Sequence, residues 1–455
     1  MSSDAVDKWS KRIFVAALSV VMLGGAFGYG ALAYKKNLPP IPQLRTAAQM
    51  VTGAAQDVSA DPKSSHLQPT RGQGSGVVTN TIGEDGSLVM MAGFFDDENQ
   101  IRLIRRNGDV VKKWSLGYRD HFPDAATRPC DVISDLMVDT HGAHVTPNGE
   151  VAFNYEYCGT VKLDQCGDVL WTIASNTHHS LVTSESGGYW ILGRDIWPAS
   201  ERPGHIYPFS TPGTDELIHE DTLLKVSESG EILDQFSIPL VMAENGMEAI
   251  LTANGESFQL DRVYRVELVH ANKATELPAA LADAFPLFEA GDIAISMREL
   301  NLVMVLDPET RTVKWHQTGP WLRQHDPEFR TDGRISIFNN NVYRMAYPND
   351  QTDLTTPRIT NIMAVDPETG ETEVIFGGRD GQDMLSVIRG QHELLPNGGM
   401  IITEFDAGRV IEVDANGNIV WEYVNEYDEN FVGEVINSAV LPAGYFKSEW
   451  KTCTP

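Results

Sequence analysis

From about residue 76 to the C-terminus, apolar and polar positions alternate in short runs broken by Gly, Asp and Asn, and no long stretch holds a helical period. Such runs predict half-buried strands joined by tight turns, and therefore an all-β domain. One phrase recurs: a strand, a turn containing Gly or Pro-Glu-Thr, and a second strand that often closes on Trp. It occupies residues 104–114, 161–171, 224–233, 305–315, 364–374 and 412–421. Six copies at irregular spacings of about 50 to 80 residues fit antiparallel blades with variable loops, and a closed ring of blades leaves no long open sheet edge. The expectation is a six-bladed β-propeller over 76–455.

The polar interruptions carry a second regularity. A His precedes the phrase in five of the repeats: His144, the pair His178 and His179, His270, His325 and His392. His325 stands just ahead of the turn Thr331-Asp332-Gly333 and the alternating strand at 335–338. In a propeller the innermost strands line the central channel, so equivalent positions far apart in sequence converge in space. A single such His is more often satisfied by a backbone group than reactive. Packing, however, has little reason to choose His repeatedly at one repeat position.

The N-terminus departs from this pattern. Residues 13–34 form an uncharged apolar run long enough to cross a bilayer as a helix, after a short tail at 1–12. Ala31-Leu32-Ala33 offers a signal-peptidase site. The length of the run and the immediate Lys35-Lys36 favour an uncleaved transmembrane anchor instead. Lys8, Lys11 and Arg12 on one flank nearly balance Lys35, Lys36 and Arg45 on the other, so charge barely orients the helix. A cytoplasmic N-terminus is expected because it exports the bulk of the chain, placing the propeller on the periplasmic side of the membrane. Gly24 and Gly28 form a GxxxG on which two helices can pair, so a homodimer stays open. Residues 35–75, beginning with Pro-rich 38–42, read as a stalk.

Composition narrows the partners. With 63 acidic against 35 basic residues and a formal charge of -28, the chain opposes non-specific nucleic-acid binding. There are four cysteines and no CxxC, which leaves cysteine zinc sites and thioredoxin-like chemistry without support. Cys158 and Cys166 have a spacing that allows a disulfide in an oxidising compartment, the alternative being two thiols.

Clustered imidazoles serve metal binding, acid–base catalysis or nucleophilic catalysis. The near pairs His141/His144 and His178/His179 lack the spacing of a metal signature, so no metal and no cofactor is expected. Arg298, on the strand following His270, would repel a metal and suit an oxyanion through forked hydrogen bonds.

Several phrases in order, namely His270-Ala271-Asn272, Ser296-Met297-Arg298, Gln324-His325-Asp326, the run 332–340, and 395–404 with 408–413 and 419–425, resemble the bacterial arylsulfate sulfotransferase family. The resemblance spans about residues 130–425 and is densest from 270. It implies a six-bladed propeller that moves a sulfuryl group from an aryl sulfate donor to a phenolic acceptor, without a nucleotide sulfate, through a sulfohistidine and ping-pong kinetics. It further implies His325 as nucleophile, with His270, Arg298 and His179 holding the sulfuryl oxygens and His178 as rival for the last place. His144 and His392 join as funnel residues from the repeat alone. The apolar segment 276–289 is longer than the family pattern and is read either as a loop at the channel mouth that alters the acceptor or as a sign that the activity has drifted. Two other readings stay open, a non-catalytic membrane-tethered propeller that binds a partner and a metal-dependent hydrolase.

Overall fold

In the computed structural model, residues 3–36, 38, 65–132, 134–198, 217–252, 267–342, 359–447, 450 and 453 are described. Ser3–Lys36 is one helix, and its stretch Lys11–Ala33 is long and apolar enough to span a bilayer. It belongs to a unit, Met1–Ser64, separate from the compact unit Ser65–Pro455. Of the expected stalk, residues 37 and 39–64 lie outside the described residues. Further on, His66 is buried and Leu67–Pro69 pairs with Phe431–Gly433, so this portion belongs to the second unit.

That second unit is a six-bladed β-propeller. Blade I is built from Val435–Leu441, Leu88–Phe95, Glu98–Ile104 and Val110–Ser115, innermost strand first. Blade II takes Thr140–Val145, Val151–Tyr155, Gly159–Leu163 and Val169–Ile173. Blade III takes Thr177–Thr183, Tyr189–Pro198, Leu217–Val226 and Ile232–Ser237. Blade IV is Ala271–Glu276, Ile293–Met297, Leu302–Asp307 and Thr312–Thr318, and blade V is His325–Phe329, Ile335–Asn339, Asn361–Val365 and Thr372–Phe376. Blade VI runs Gln391–Leu394, Met400–Glu404, Arg409–Val413 and Ile419–Val424, and Gly76–Asn80 adds a fifth, outermost strand. The ring thus closes twice, a C-terminal strand completing blade I and an N-terminal strand extending blade VI.

Each recurring phrase is the third strand, turn and fourth strand of a blade. Its Trp ties blade to blade. The indole Nε1 of Trp114 donates to the carbonyl of Asp164 in the next blade's turn, Trp171 to that of Glu228, and Trp421 to that of Arg106. Second strands such as Val151–Tyr155 and Ile293–Met297 are buried along their whole length, whereas outer strands such as Val169–Ile173 are largely exposed. Apolar side chains fill the wedge between each neighbouring pair of blades. Trp321, Phe285 and Phe329 between blades IV and V are an example.

Two expectations are corrected here. Cys158 does not pair with Cys166: the disulfides are Cys130–Cys158 and Cys166–Cys453. Cys158 and Cys166 flank the strand Gly159–Leu163 at opposite ends, and a strand of that length spans roughly 16 Å, far beyond disulfide reach. Segment 276–289 follows the C-terminal end of the strand that His270 precedes, so it lies at the opposite end of blade IV from the His residues. There Leu277, Phe285 and Phe288 are buried against Phe329 and Trp321.

Candidate active site

The chemistry gathers where the inner strands begin. A β-bulge interrupts five of the six inner strands near that end, between His141 and Ala143, His178 and Leu181, Ala271 and Lys273, His325 and Pro327, and Val435 and Asn437. Bulges re-aim side chains, and here they turn polar groups into the channel. The left-handed φ of His179 (47°), His270 (50°), Asp326 (54°) and Arg389 (56°) marks the same rim; such values are uncommon outside glycine and concentrate at functional sites. Gly142 is required at its bulge. A Cβ there would stand 2.3 Å from the carbonyl oxygen of His179, so only glycine lets blades II and III approach closely enough to bring the ring of His141 to 4.6 Å from that of His179.

His141, His179, Asn272, Lys273, His325 and Arg389 line a cavity on the channel axis, with Asp326, Gln391 and Asn437 beside them. All six blades therefore contribute. Several of its buried polar atoms lack a hydrogen-bond partner: Nε2 of His141 and His325, Oδ1 of Asn272 and Asn437, and Nη1 of Arg389. Buried polar groups are normally satisfied, so this concentration in one cavity suits a polar ligand.

His325 is held in a defined tautomer. Its Nδ1 lies 2.7 Å from Asn340 Oδ1. Both amide hydrogens of Asn340 are committed, to the carbonyls of Ser386 at 2.9 Å and Arg389 at 2.8 Å, so its oxygen can only accept. Nδ1 therefore carries the proton and Nε2 presents a lone pair to the cavity. Burial, then the nearby Arg298 charge, pushes His325 down to about 3, against the Asn340 hydrogen bond, which keeps the ring neutral at ordinary pH.

His178 and His179 divide their duties. Nε2 of His178 donates to the Gly193 carbonyl at 3.1 Å, so its Nδ1 accepts from Nδ1 of His179 at 2.8 Å. His179 faces the cavity and His178 stands behind it. Nε2 of His179 is 3.3 Å from Nε2 of His270, whose Nδ1 lies 2.7 Å from Glu267 and 3.3 Å from Nη2 of Arg298. Burial lowers both His179 and His270; for His270 the Arg298 charge adds to it and Glu267 opposes it.

His270 and Arg298 stand beside His179 without lining the cavity themselves, and His144 and His392 do not line it either. His144 sits further along its strand with Glu228 and Lys162 as charged neighbours, and burial lowers it to about 4. His392 is buried between Ser336 Oγ at 2.7 Å and Asp326 at 3.1 Å; its backbone N–H also donates to Asp326, so it braces the channel wall. Neither the repeat nor the family resemblance gives a role to His141, Asn340, Lys273 or Arg389. The signal for His141 was its position in the His141/His144 pair, and that for Asn340 was the Asn run closing an alternating strand.

The profile of the arylsulfotransferase (ASST) family matches residues 138–426. No curated protein matches the chain. Among solved structures it is similar to a protein of unknown function from Bacteroides caccae, with 12% identity, a TM-score of 0.49, and coverage of 78% of this chain and 98% of that one. It is also similar to TolB from Acinetobacter baumannii, at 10% identity and a TM-score of 0.42, covering 79% of this chain and 68% of that one. These likenesses have no bearing on the chemistry.

Proposed function

The chain belongs to the arylsulfotransferase (ASST) family, and on that premise we propose that it moves a sulfuryl group from an aryl sulfate to a phenol through a sulfated His325. The observation that carries this reading is the buried, unpartnered Nε2 of His325, facing the cavity with its lone pair while Asn340 holds the proton on Nδ1. A neutral imidazole so oriented is a competent nucleophile without further activation.

In the first half-reaction Nε2 attacks sulfur in line and the phenolate departs; in the second an acceptor phenol attacks the N-sulfonated ring and restores it. Arg298 supplies fixed positive charge to the sulfuryl oxygens, beside His270. A donor for the anion at His179 and His270 needs a proton on one of their facing Nε2 atoms, and the bound sulfate ester itself favours that protonation. His178 orients His179. Ping-pong kinetics follow from the covalent intermediate. The apolar N-terminal helix supports a membrane-anchored enzyme, and the cysteines, all in disulfides, support an oxidising, extracytoplasmic location for the propeller.

The test is turnover of 4-nitrophenyl sulfate with added phenol by the full-length protein in detergent, alongside His325→Ala. Donor without acceptor should leave a sulfuryl-mass adduct on the His325 peptide, absent from His325→Ala. A folded protein that turns over no aryl sulfate and forms no adduct is instead a binding propeller.

A further inference from the structure

In a ring of six blades, blade V stands opposite blade II. In-line displacement at sulfur places the departing aryl oxygen opposite the attacking nitrogen, so a donor attacked by His325 of blade V presents its aryl oxygen toward blade II. Facing that position is His141, which lines the cavity. Its buried Nε2 lacks a hydrogen-bond partner, and Glu156 Oε2 lies 3.5 Å away. Long contacts between acid–base partners are common in unliganded sites and tighten when substrate binds.

Glu156 is set in a closed charge cluster. Arg389 contacts Asp139 and, at 3.0 Å, Glu156, and its Nη1 is 3.8 Å from Glu434. His66 completes the set with Nδ1 2.8 Å from Glu434 and Nε2 2.8 Å from the Leu136 carbonyl. With both nitrogens committed, to a carboxylate and to a carbonyl, His66 carries two protons and a positive charge. Two cations, Arg389 and His66, face three carboxylates, and the cluster is neutral when one carboxyl keeps its proton. Glu156 is the one that does. Burial raises it to about 7, assisted by Asp139 and opposed by the charges of Arg389, Arg298 and Arg194. Asp139 and Glu434 are tied to the cations, and His66, Asp139 and Glu434 form an ion-pair set that Arg389 occupies, which disfavours a metal there.

We propose that His141, backed by Glu156, is the acid–base group for the aryl oxygen. This assignment rests on the sulfohistidine reading. As the Nε2–S bond forms and the S–O bond breaks, the electron pair goes to the aryl oxygen. Burial, then the Arg389 charge, holds His141 neutral, so the aryl oxygen takes the proton of its Nδ1 while its Nε2 takes one from Glu156. In the return half-reaction the acceptor phenol gives its proton to Nδ1 of His141 while Nε2 of His141 returns one to Glu156, the phenol oxygen bonds sulfur, and the N–S electron pair returns to Nε2 of His325. His141 is the catalytic residue and Glu156 the residue that charges and positions it.

The experiment compares donors whose leaving phenols differ in acidity. Proton donation matters little for 4-nitrophenol and much for phenol, and general acid catalysis is worth roughly 10²–10⁴-fold. In Glu156→Gln and in His141→Asn, kcat/KM for phenyl sulfate is expected to fall at least tenfold more than for 4-nitrophenyl sulfate, and the 4-nitrophenyl sulfate adduct on the His325 peptide still forms. Equal losses for both donors in variants that form the adduct overturn the assignment and leave sulfuryl transfer intact. Absence of the adduct from the wild type overturns the proposed function itself. Two different substitutions and the adduct as a folding control separate either result from misfolding.

Discussion

Asn340 fixes the proton of His325 on Nδ1 across 2.7 Å, and its own amide hydrogens are anchored on two carbonyls. Asn340→Ala frees the ring to adopt the other tautomer, so kcat/KM is expected to fall roughly 10²-fold or more. Asn340→Asp keeps the acceptor but adds negative charge, which favours imidazolium and raises His325 from about 3. The acid limb of its pH–rate profile should therefore move to higher pH than in the wild type, because the protonated ring has no lone pair to attack with.

His144 and His179 begin neighbouring blades in the same repeating pattern, yet only His179 faces the cavity. His179→Ala should lower kcat/KM for aryl sulfate by roughly 10²-fold. His144→Ala should stay within about threefold of wild type, as for a side chain that touches neither substrate nor site. Steady-state kinetics of both variants with one donor and one acceptor distinguish them.

His66 is fully buried and paired with Glu434. Burial works against its charge, and Glu434 with Asp139 outweighs it, raising His66 from 6.5 to about 9. A raised folded value means that this contribution to stability is fully present below 6.5 and is lost as pH rises through 9. His66→Gln should destabilise the propeller by about 3 kcal/mol near pH 6 by leaving a buried carboxylate unpaired. The difference in denaturant midpoint from wild type should narrow as pH rises to 9.

The Cys166–Cys453 bridge closes a loop with a sequence separation of 287 residues, tying the C-terminal tail to blade II. Removing it with Cys166→Ser and Cys453→Ser together should lower stability by about 2–5 kcal/mol. A non-reducing digest of the wild type should contain the Cys166–Cys453 and Cys130–Cys158 peptides and none joining Cys158 to Cys166.

The strand–turn–strand phrases and their closing Trp residues determined the architecture, because side-chain alternation and turn chemistry are local and six copies leave few ways to close a sheet. The same periodicity put His270, His325 and the His178/His179 pair at the starts of inner strands. Tertiary structure decided which imidazole faces the cavity. A bulge shifts the alternation by one residue, so Gly142 brings in His141 where the repeat pointed to His144, and the His178–His179 hydrogen bond assigns the pair its front and back. It also decided every long-range partner. Asn340 against His325, Glu156 against Arg389 and Cys166 against Cys453 meet only once the ring closes, and nothing in the spacing of residues so far apart along the chain encodes that meeting.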